Sequence, residues 1–431
     1  MTITRRDLLL GTAGLAGIGA LLPRALAGSA SGTNLIVVTA LGGWDTSYAL
    51  DPKLSSRDVE GPELDEDSAN ADDREAITTF GGLDVVTNEV KRPAVSEFFA
   101  RWHTRASLVR GVWVGSVAHE ECRLRILTGS TSDTRPDLGA IAADGLGRDA
   151  PVPYMDLGGA AYTGDLAAIS GRTGQRNQLR MLLDRHAAAQ RPPPDRLRYP
   201  LYTPQPADRA AIDAWLDARA NAWRARGAAV GHGARRVDDW FTARAKAFAL
   251  QSGGSAFVQA LSATDTRTLT SQVDLSLEVL QSGLSRAVLI DSGGAWDTHQ
   301  DNVDQHTLHD DLFRALERLL TGLDDAALLD DTAVVVLSEM SRTPRRNDKR
   351  GKDHWPVTTS MLLGGPFAGD RVLGGTNDRM DAVGVDLSTG APDPSADPLR
   401  YDSLAAGILA ALDVDPGDWF AGVTPLGGLR A

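Results

Sequence analysis

A chain of 431 residues with 42% apolar side chains can bury a sizeable core, either as one large α/β unit with insertions or as two to three domains. A net charge of -13 repels phosphate backbones and anionic lipid, which excludes non-specific nucleic-acid binding. Cys122 is the single cysteine, so an intrachain disulfide and a cysteine metal cluster are excluded.

Residues 1–27 read as an export leader. Thr4-Arg5-Arg6-Asp7-Leu8-Leu9 opens a Gly-, Ala- and Leu-rich stretch over 8–22, and Ala25-Leu26-Ala27 has the small-x-small cleavage pattern. The paired arginines are similar to a twin-arginine leader, an address read by the export machinery. The stretch is shorter than the ~20 residues a span needs and is broken by Pro23. This predicts a periplasmic or secreted protein with no stable membrane span after cleavage.

The mature chain begins with an apolar run, 34–41, that reads as a buried strand and ends in Gly42-Gly43-Trp44-Asp45-Thr46. Residues 51–75 are acidic and turn-rich and read as a surface loop or insertion, with no Asx-rich calcium-loop pattern. A helix is predicted over 93–105, with Val95, Phe98, Phe99 and Trp102 on one face. Residues 107–114 form the next strand, followed by Gly115-Ser116-Val117-Ala118-His119 and a helix to 127. His119-Glu120 has Arg123 where a zinc-protease helix needs its second histidine, so that reading is rejected. Ser116 reads two ways, as a nucleophile at a strand-to-helix turn or as the helix cap.

Another strand is predicted over 152–157. Residues 165–285 then change character: Arg, Ala and Leu dominate with helical period over 207–228, 238–250 and 266–283. This is a helical insertion, in which His186 and His232 are surface residues and Trp215, Trp223 and Trp240 are packing residues. The core resumes with a strand over 287–291, which ends in Gly293-Gly294-Ala295-Trp296-Asp297-Thr298-His299. This nearly repeats the end of the first strand. A leucine-faced helix follows, with His306 and His309 in its first turns, read as solvent-facing or supporting groups. The strand 332–337 delivers Ser338-Glu339-Met340-Ser341-Arg342-Thr343-Pro344, then Asp353-His354-Trp355-Pro356. A strand over 358–363 and a helix over 401–412 close the fold, with Trp419 and Phe420 packing the tail.

In open α/β sheets, ligand sites gather outside the carboxyl ends of the strands. Here those ends carry Asp45, His119, Asp297, His299, Glu339, Arg342 and His354. Carboxylates and imidazoles without thiols make a site for a divalent metal ion, and Zn, Mn, Mg, Ca and Fe all suit these ligands. A cation, or Arg342, would relieve the repulsion among the carboxylates. Such a metal could activate water and polarise a phosphoryl or sulfuryl oxygen, while the Arg342 fork could hold the anion. The sequence has no P-loop, no Gly-x-Ser-x-Gly elbow and no dinucleotide fingerprint.

The motifs Gly293–His299, Ser338–Pro344 and Gly351-Lys352-Asp353-His354-Trp355-Pro356 resemble the DUF1501 family of exported bacterial proteins, across about 33–425. That family is grouped with the alkaline phosphatase-like superfamily, which includes the sulfatases. The resemblance implies an alkaline phosphatase-like α/β sandwich with a mostly parallel central sheet. It implies metal ligands at Asp45, Asp297, His299, Glu339 and His354, although Asp301 has the better spacing for a second ligand after Asp297. It places a nucleophile in the 116–119 region, with Ser116, His119 and Arg342 as catalytic candidates. Two positions depart from the pattern. Met340 stands where a second metal ligand is expected, and Ala118-His119 stands where the family has Ser-His. Two functions follow: an exported metal-dependent hydrolase of anionic phosphate or sulfate esters, small or polymeric, or a non-catalytic exported protein that uses a degenerate hydrolase fold for structure or partner binding.

Overall fold

A computed structural model describes residues 32–173, 206–225, 232–253, 268–417 and 419–430. The leader, His186 and Pro192-Pro193-Pro194 lie outside the described residues. In chain order the strands are β1 (Asn34–Thr39), β2 (Ala76–Phe80), β3 (Leu83–Thr87), β4 (Ala106–Trp113), β5 (Tyr154–Asp156), β6 (Ser170–Arg172), β7 (Ala287–Asp291), β8 (Thr332–Leu337), β9 (Ser341–Arg342), β10 (His354–Trp355), β11 (Val357–Leu363) and β12 (Arg371–Gly374). The helices are α1 (Pro93–Trp102), α2 (His119–Thr128), α3 (Leu138–Gly147), α4 (Pro206–Ala225), α5 (His232–Gly253), α6 (Leu269–Gln281), α7 (Asp304–Asp325) and α8 (Tyr401–Ala411).

An eight-stranded sheet runs β12-β4-β11-β8-β1-β7-β5-β6. Every residue of β1 and β8 is buried, which is why both read as continuous apolar runs rather than alternating ones. Val38 pairs with Ile290 on one side and Val336 on the other, both in parallel register. Side chains alternate across the sheet. Ile36 and Val38 pack towards the core that holds α1, α6 and α7, where Phe98, Phe99 and Phe313 meet. Leu35 and Val37 pack towards α2, α3 and α8. Helices therefore cover both faces, giving the expected α/β sandwich with a mostly parallel sheet.

One strand breaks the parallel order, and it builds the site. β11 runs antiparallel to both β4 and β8. A chain leaving the carboxyl end of β8 can therefore enter β11 at the same edge, with no crossover to the far edge. The intervening residues fold into the β9–β10 ribbon, where His354 faces Arg342 and Trp355 faces Ser341. The whole 338–356 segment thus stays over the carboxyl ends of the parallel strands.

Several expectations need correction. The 51–75 stretch is not simply a surface loop. Asp51 and Asp73 are buried, with Asp51 facing Lys53 and Arg110 and Asp73 facing Lys91 and Asn88. The β2–β3 hairpin that follows it was not anticipated. The helix predicted over 266–283 is α6, whose Val273, Leu275, Val279 and Leu280 belong to the core. α4 and α5 are joined by Arg244 to Asp213 and Asp217, and Lys246 of α5 donates to the Arg148 and Ala150 carbonyls. Trp215 and Trp223 are exposed rather than packed. His306 and His309 are both buried, which removes the solvent-facing reading and leaves the supporting one.

His309 is held by rings rather than by charge. It stacks on Trp44 and Tyr48, meets Trp296 edge-on, and its Nε2 lies 3.1 Å from the Asp45 carbonyl. Burial, with Arg92 nearby, lowers its pKa from 6.5 to about 3. The folded state therefore keeps His309 neutral while the unfolded chain protonates it, so this contribution is present above the unfolded pKa and is lost as pH falls towards the folded one. His309→Gln is expected to remove one proton from the unfolding linkage across that window. In chemical denaturation at stepped pH, the slope of stability against pH should flatten by about 1.4 kcal/mol per pH unit. An unchanged slope would contradict a buried neutral imidazole.

Candidate metal centre

Three histidines and one aspartate converge over the strand ends. The Nε2 atoms of His119, His299 and His354 lie 3.5, 3.0 and 3.2 Å from Asp297 Oδ1. His299 Nε2 and His354 Nε2 are 2.8 Å apart. The His119 and His354 rings meet edge-on at 4.3 Å. Ligand atoms of His119, Asp297 and His354 all fall within 4.8 Å of one another.

The other nitrogen of each ring is spoken for. His119 Nδ1 is 2.9 Å from Glu339 Oε1, His299 Nδ1 is 2.9 Å from Asp353 Oδ1, and His354 Nδ1 is 2.7 Å from the Val117 carbonyl. With Nδ1–H donated to these oxygens, each neutral ring turns its Nε2 lone pair towards Asp297. The opposite tautomer would donate from Nε2 to Asp297 and leave the Nδ1 lone pair against oxygen, which at His354 faces a carbonyl that can only accept. Lone pairs from three rings and a carboxylate then face one small volume, which is unfavourable unless a cation or shared proton lies there. Two ligands of a tetrahedral ion bonded at ~2.0–2.2 Å stand roughly 3.3–3.6 Å apart. His119 lies at that spacing from Asp297, His354 just inside it, and His299 at 3.0 Å closer than it, so His119, Asp297 and His354 are the better ligand set. Outer oxygens on Nδ1 are the usual support for metal-bound imidazole. The donor set fits a divalent metal ion of borderline hardness.

Electrostatics favour the metal-ready state at Asp297. Burial would raise its pKa, but the Arg342 hydrogen bond at 2.6 Å and the Arg342 charge outweigh it, and the carboxyl is held at about 2. His119 is shifted upward, chiefly by its Glu339 hydrogen bond. A proton on His119 therefore competes with a metal more strongly than on an ordinary histidine.

The loops carrying these groups are braced by close backbone contacts. Gly42 has φ +120°, and a Cβ there would stand 2.7 Å from the Asp297 nitrogen. Gly43 has φ +90°, and its Cβ would press on Met340 and Arg342. The glycine pair thus lets the turn after β1 lie against the Asp297 and Met340 loops. Trp44 and Trp296, from the two similar turns, meet edge-on at 6.3 Å, so the sequence repeat does bring two strand ends together.

The remaining sequence candidates are placed differently. Glu339 is buried and accepts from Gly42 N at 2.7 Å as well as facing His119. Asp45 is fully buried and turned towards Lys352 Nζ at 2.7 Å, Asn302 at 2.8 Å and Ser47. Burial would push its carboxyl up, yet the Lys352 ammonium and these donors hold it below the usual range. Arg342 is fully buried, donating to the carbonyls of Gly42, Gly43, Trp296 and Lys352 and to Asp297. Ser116 Oγ donates to Glu121 Oε2 at 2.7 Å and accepts from Ala118 N. Met340 is buried in the core. Asp301 pairs with Arg350. Sequence reasoning missed Lys352, Asn302 and the Asp353–His299 contact. Lys352 carried a signal, being one of five lysines in an arginine-rich chain and lying inside a motif already singled out.

The chain matches the model of the family described as "Protein of unknown function (DUF1501)" over residues 32–425. No curated protein sequence matches it. Among solved structures it is similar to Ps i-CgsB in complex with k-i-k-neocarrahexaose, with TM-score 0.40 and 8% identity, covering 91% of this chain and 75% of that one. A protein from a Bacteroides thetaiotaomicron study of glycosaminoglycan metabolism gives TM-score 0.40 and 9% identity, covering 92% and 76%. The lipoteichoic acid synthase LtaP from Listeria monocytogenes gives TM-score 0.37 and 8% identity, covering 95% and 78%. With its glycine turns, its histidine cluster and nearly its whole length inside one family model, this chain is a member of the DUF1501 family.

Proposed function

We propose that the protein is an exported, metal-dependent hydrolase of phosphate or sulfate esters. The observation that carries this is the convergence of three Nε2 atoms on Asp297 while each Nδ1 is tied to an oxygen. In this reading His119, Asp297 and His354 hold one divalent ion, with His299 beside them. Asp45, Glu339 and Arg342 become the frame: Glu339 orients His119, Arg342 ties four carbonyls to Asp297, and Asp45 closes on Lys352. Bound there, the ion would supply Lewis acidity to the ester oxygen and a lower pKa to water. His299, with Nδ1 fixed by Asp353, holds or returns a proton at Nε2. In this reading water is the nucleophile, and Ser116 stays bound to Glu121 Oε2 and Ala118 N at the start of α2.

The test is metal analysis of the purified mature protein together with turnover of 4-nitrophenyl phosphate and 4-nitrophenyl sulfate. Stoichiometric metal, and turnover at least 100-fold lower in Asp297→Asn, is the expected result. A native protein without metal, whose metal content is equally absent in that variant, sinks the reading. The non-catalytic alternative rests on two observations: Met340 is buried in the core where a second ligand was expected, and the Asp45 carboxylate is spent on Lys352. Stoichiometric metal without turnover of either ester would favour it. Export is tested by fractionation. Lysines at Arg5 and Arg6 should leave the precursor in the cytoplasm. No described helix is long and apolar enough to cross a membrane.

A further inference from the structure

Beside the histidine cluster, on the other side of the β9–β10 ribbon, lies an open basin of about 530 Å³. His354 and Trp355 are neighbours on a strand, so their side chains leave on opposite faces. His354 serves the metal cluster, and Trp355 lines the basin. Asp353 links the two spaces, since it lines the basin and its Oδ1 meets His299 Nδ1 at 2.9 Å.

The lining has a specific chemistry. The Trp355 indole N–H is already donated to the Met380 carbonyl at 2.9 Å. What the indole offers a ligand is therefore its ring. Met380 adopts φ +61°, a left-handed conformation that costs a non-glycine residue energy and that fixes the carbonyl holding the indole. The same basin is lined by two well-exposed guanidinium groups, Arg345 and Arg379, whose side chains are 63% and 73% accessible. Both approach one carboxylate, Asp58, but only at 3.6 and 3.5 Å. Arg345 also donates to the Arg57 carbonyl at 3.2 Å, and the remaining guanidinium N–H groups of the pair stay available to a second anion. Asp353 and Asp381 also line the basin, but Asp353 is taken by His299 and Asn347 and Asp381 by Asn377, while the third arginine, Arg346, is tied to Asp65, so Arg345 and Arg379 are the cations with N–H groups to spare.

We infer that this basin binds the non-reacting part of the ester: a ring with one flat apolar face that lies on Trp355, carrying a second anionic substituent held by Arg345 and Arg379. This rests on the hydrolase reading for its meaning as a subsite, but the binding itself needs no metal. An aromatic ring and a sugar ring share the required chemistry, and the probes separate them.

Isothermal titration of the full mature protein as purified, with benzene-1,3-disulfonate and with glucose 6-phosphate, tests it, with zinc and other divalent metal content measured on each sample. The expected result is that at least one probe binds and that Arg345→Ala/Arg379→Ala and Trp355→Ala each weaken it at least tenfold, with metal content unchanged. Trp355→Phe should retain most of the affinity, because it keeps a ring face. Which probe binds more tightly identifies the ring. Equal affinity in native protein and both variants overturns the inference, as does failure of both probes to bind native protein at 10 mM. If the protein proves metal-free yet the variants still weaken a bound probe, the subsite stands and the hydrolase reading falls.

Discussion

Lys352→Met should be among the most destabilising single substitutions in the mature chain, lowering stability by about 3–5 kcal/mol. Both side chains of the Lys352–Asp45 pair are fully buried at 2.7 Å. Removing the ammonium leaves Asp45 as an uncompensated charge in the interior. Ser47 and Asn302 still donate to it, but neutral donors offset only part of that cost. Against a typical total of ~5–15 kcal/mol, the loss is large enough to unfold part of the population. Replacing the pair together is the control. Asp45→Asn/Lys352→Met removes both charges, keeps the volume, and should recover much of the loss, because breaking a buried pair costs far more than replacing it. Urea denaturation of the native protein, both singles and the double measures the interaction term directly. A single Lys352→Met costing under ~1 kcal/mol, or a double no better than the single, would show that the pair is not what fixes the turn after β1.

The same pair shows where the sequence stops being legible. β1, β7 and β8 could be read because burial on both faces writes itself as a continuous apolar run. Asp297 and His354 stood out as candidates because each follows an abrupt change of polarity close to a strand end, and the structure brings the two together. What the sequence could not tell is which strand-end carboxylate faces the histidine cluster. Asp45, Asp297 and Glu339 look alike in one dimension. Their roles are set by partners far along the chain: Lys352 for Asp45, and His119, 220 positions away, for Glu339. Polarity also misleads when the partner is distant. Asp51 and Asp73 sit in an acidic stretch that reads as solvated, yet each is buried against cations or an amide. His309 reads as polar, but Trp44, Tyr48 and Trp296 surround it. The β2–β3 hairpin did leave a trace, in the Gly81-Gly82 turn between short β-prone runs.

The proposed metal centre gives the sharpest separation between a ligand and the residue that orients it. His354→Ala and Asp297→Ala each remove a donor atom and should lose metal outright at micromolar concentrations. Glu339→Gln removes no donor. It replaces the carboxylate that holds His119 Nδ1 by a neutral amide, and affinity should fall roughly 10–100-fold. The pH dependence distinguishes this from general damage. Metal binding requires His119 Nε2 to be unprotonated, so affinity falls as pH drops through the His119 pKa. Glu339 raises that pKa, chiefly through its hydrogen bond. In Glu339→Gln the raising influence is gone, so the acid limb of metal release should move to lower pH even though affinity at neutral pH is weaker. A variant that was merely misfolded would lose affinity without moving the limb in that direction. Zinc competition titrations across pH 5 to 8, on native protein and Glu339→Gln, read both quantities from one data set. If the limb stays in place or moves upward, Glu339 does not govern His119, and the frame assigned to this centre is wrong at its first link.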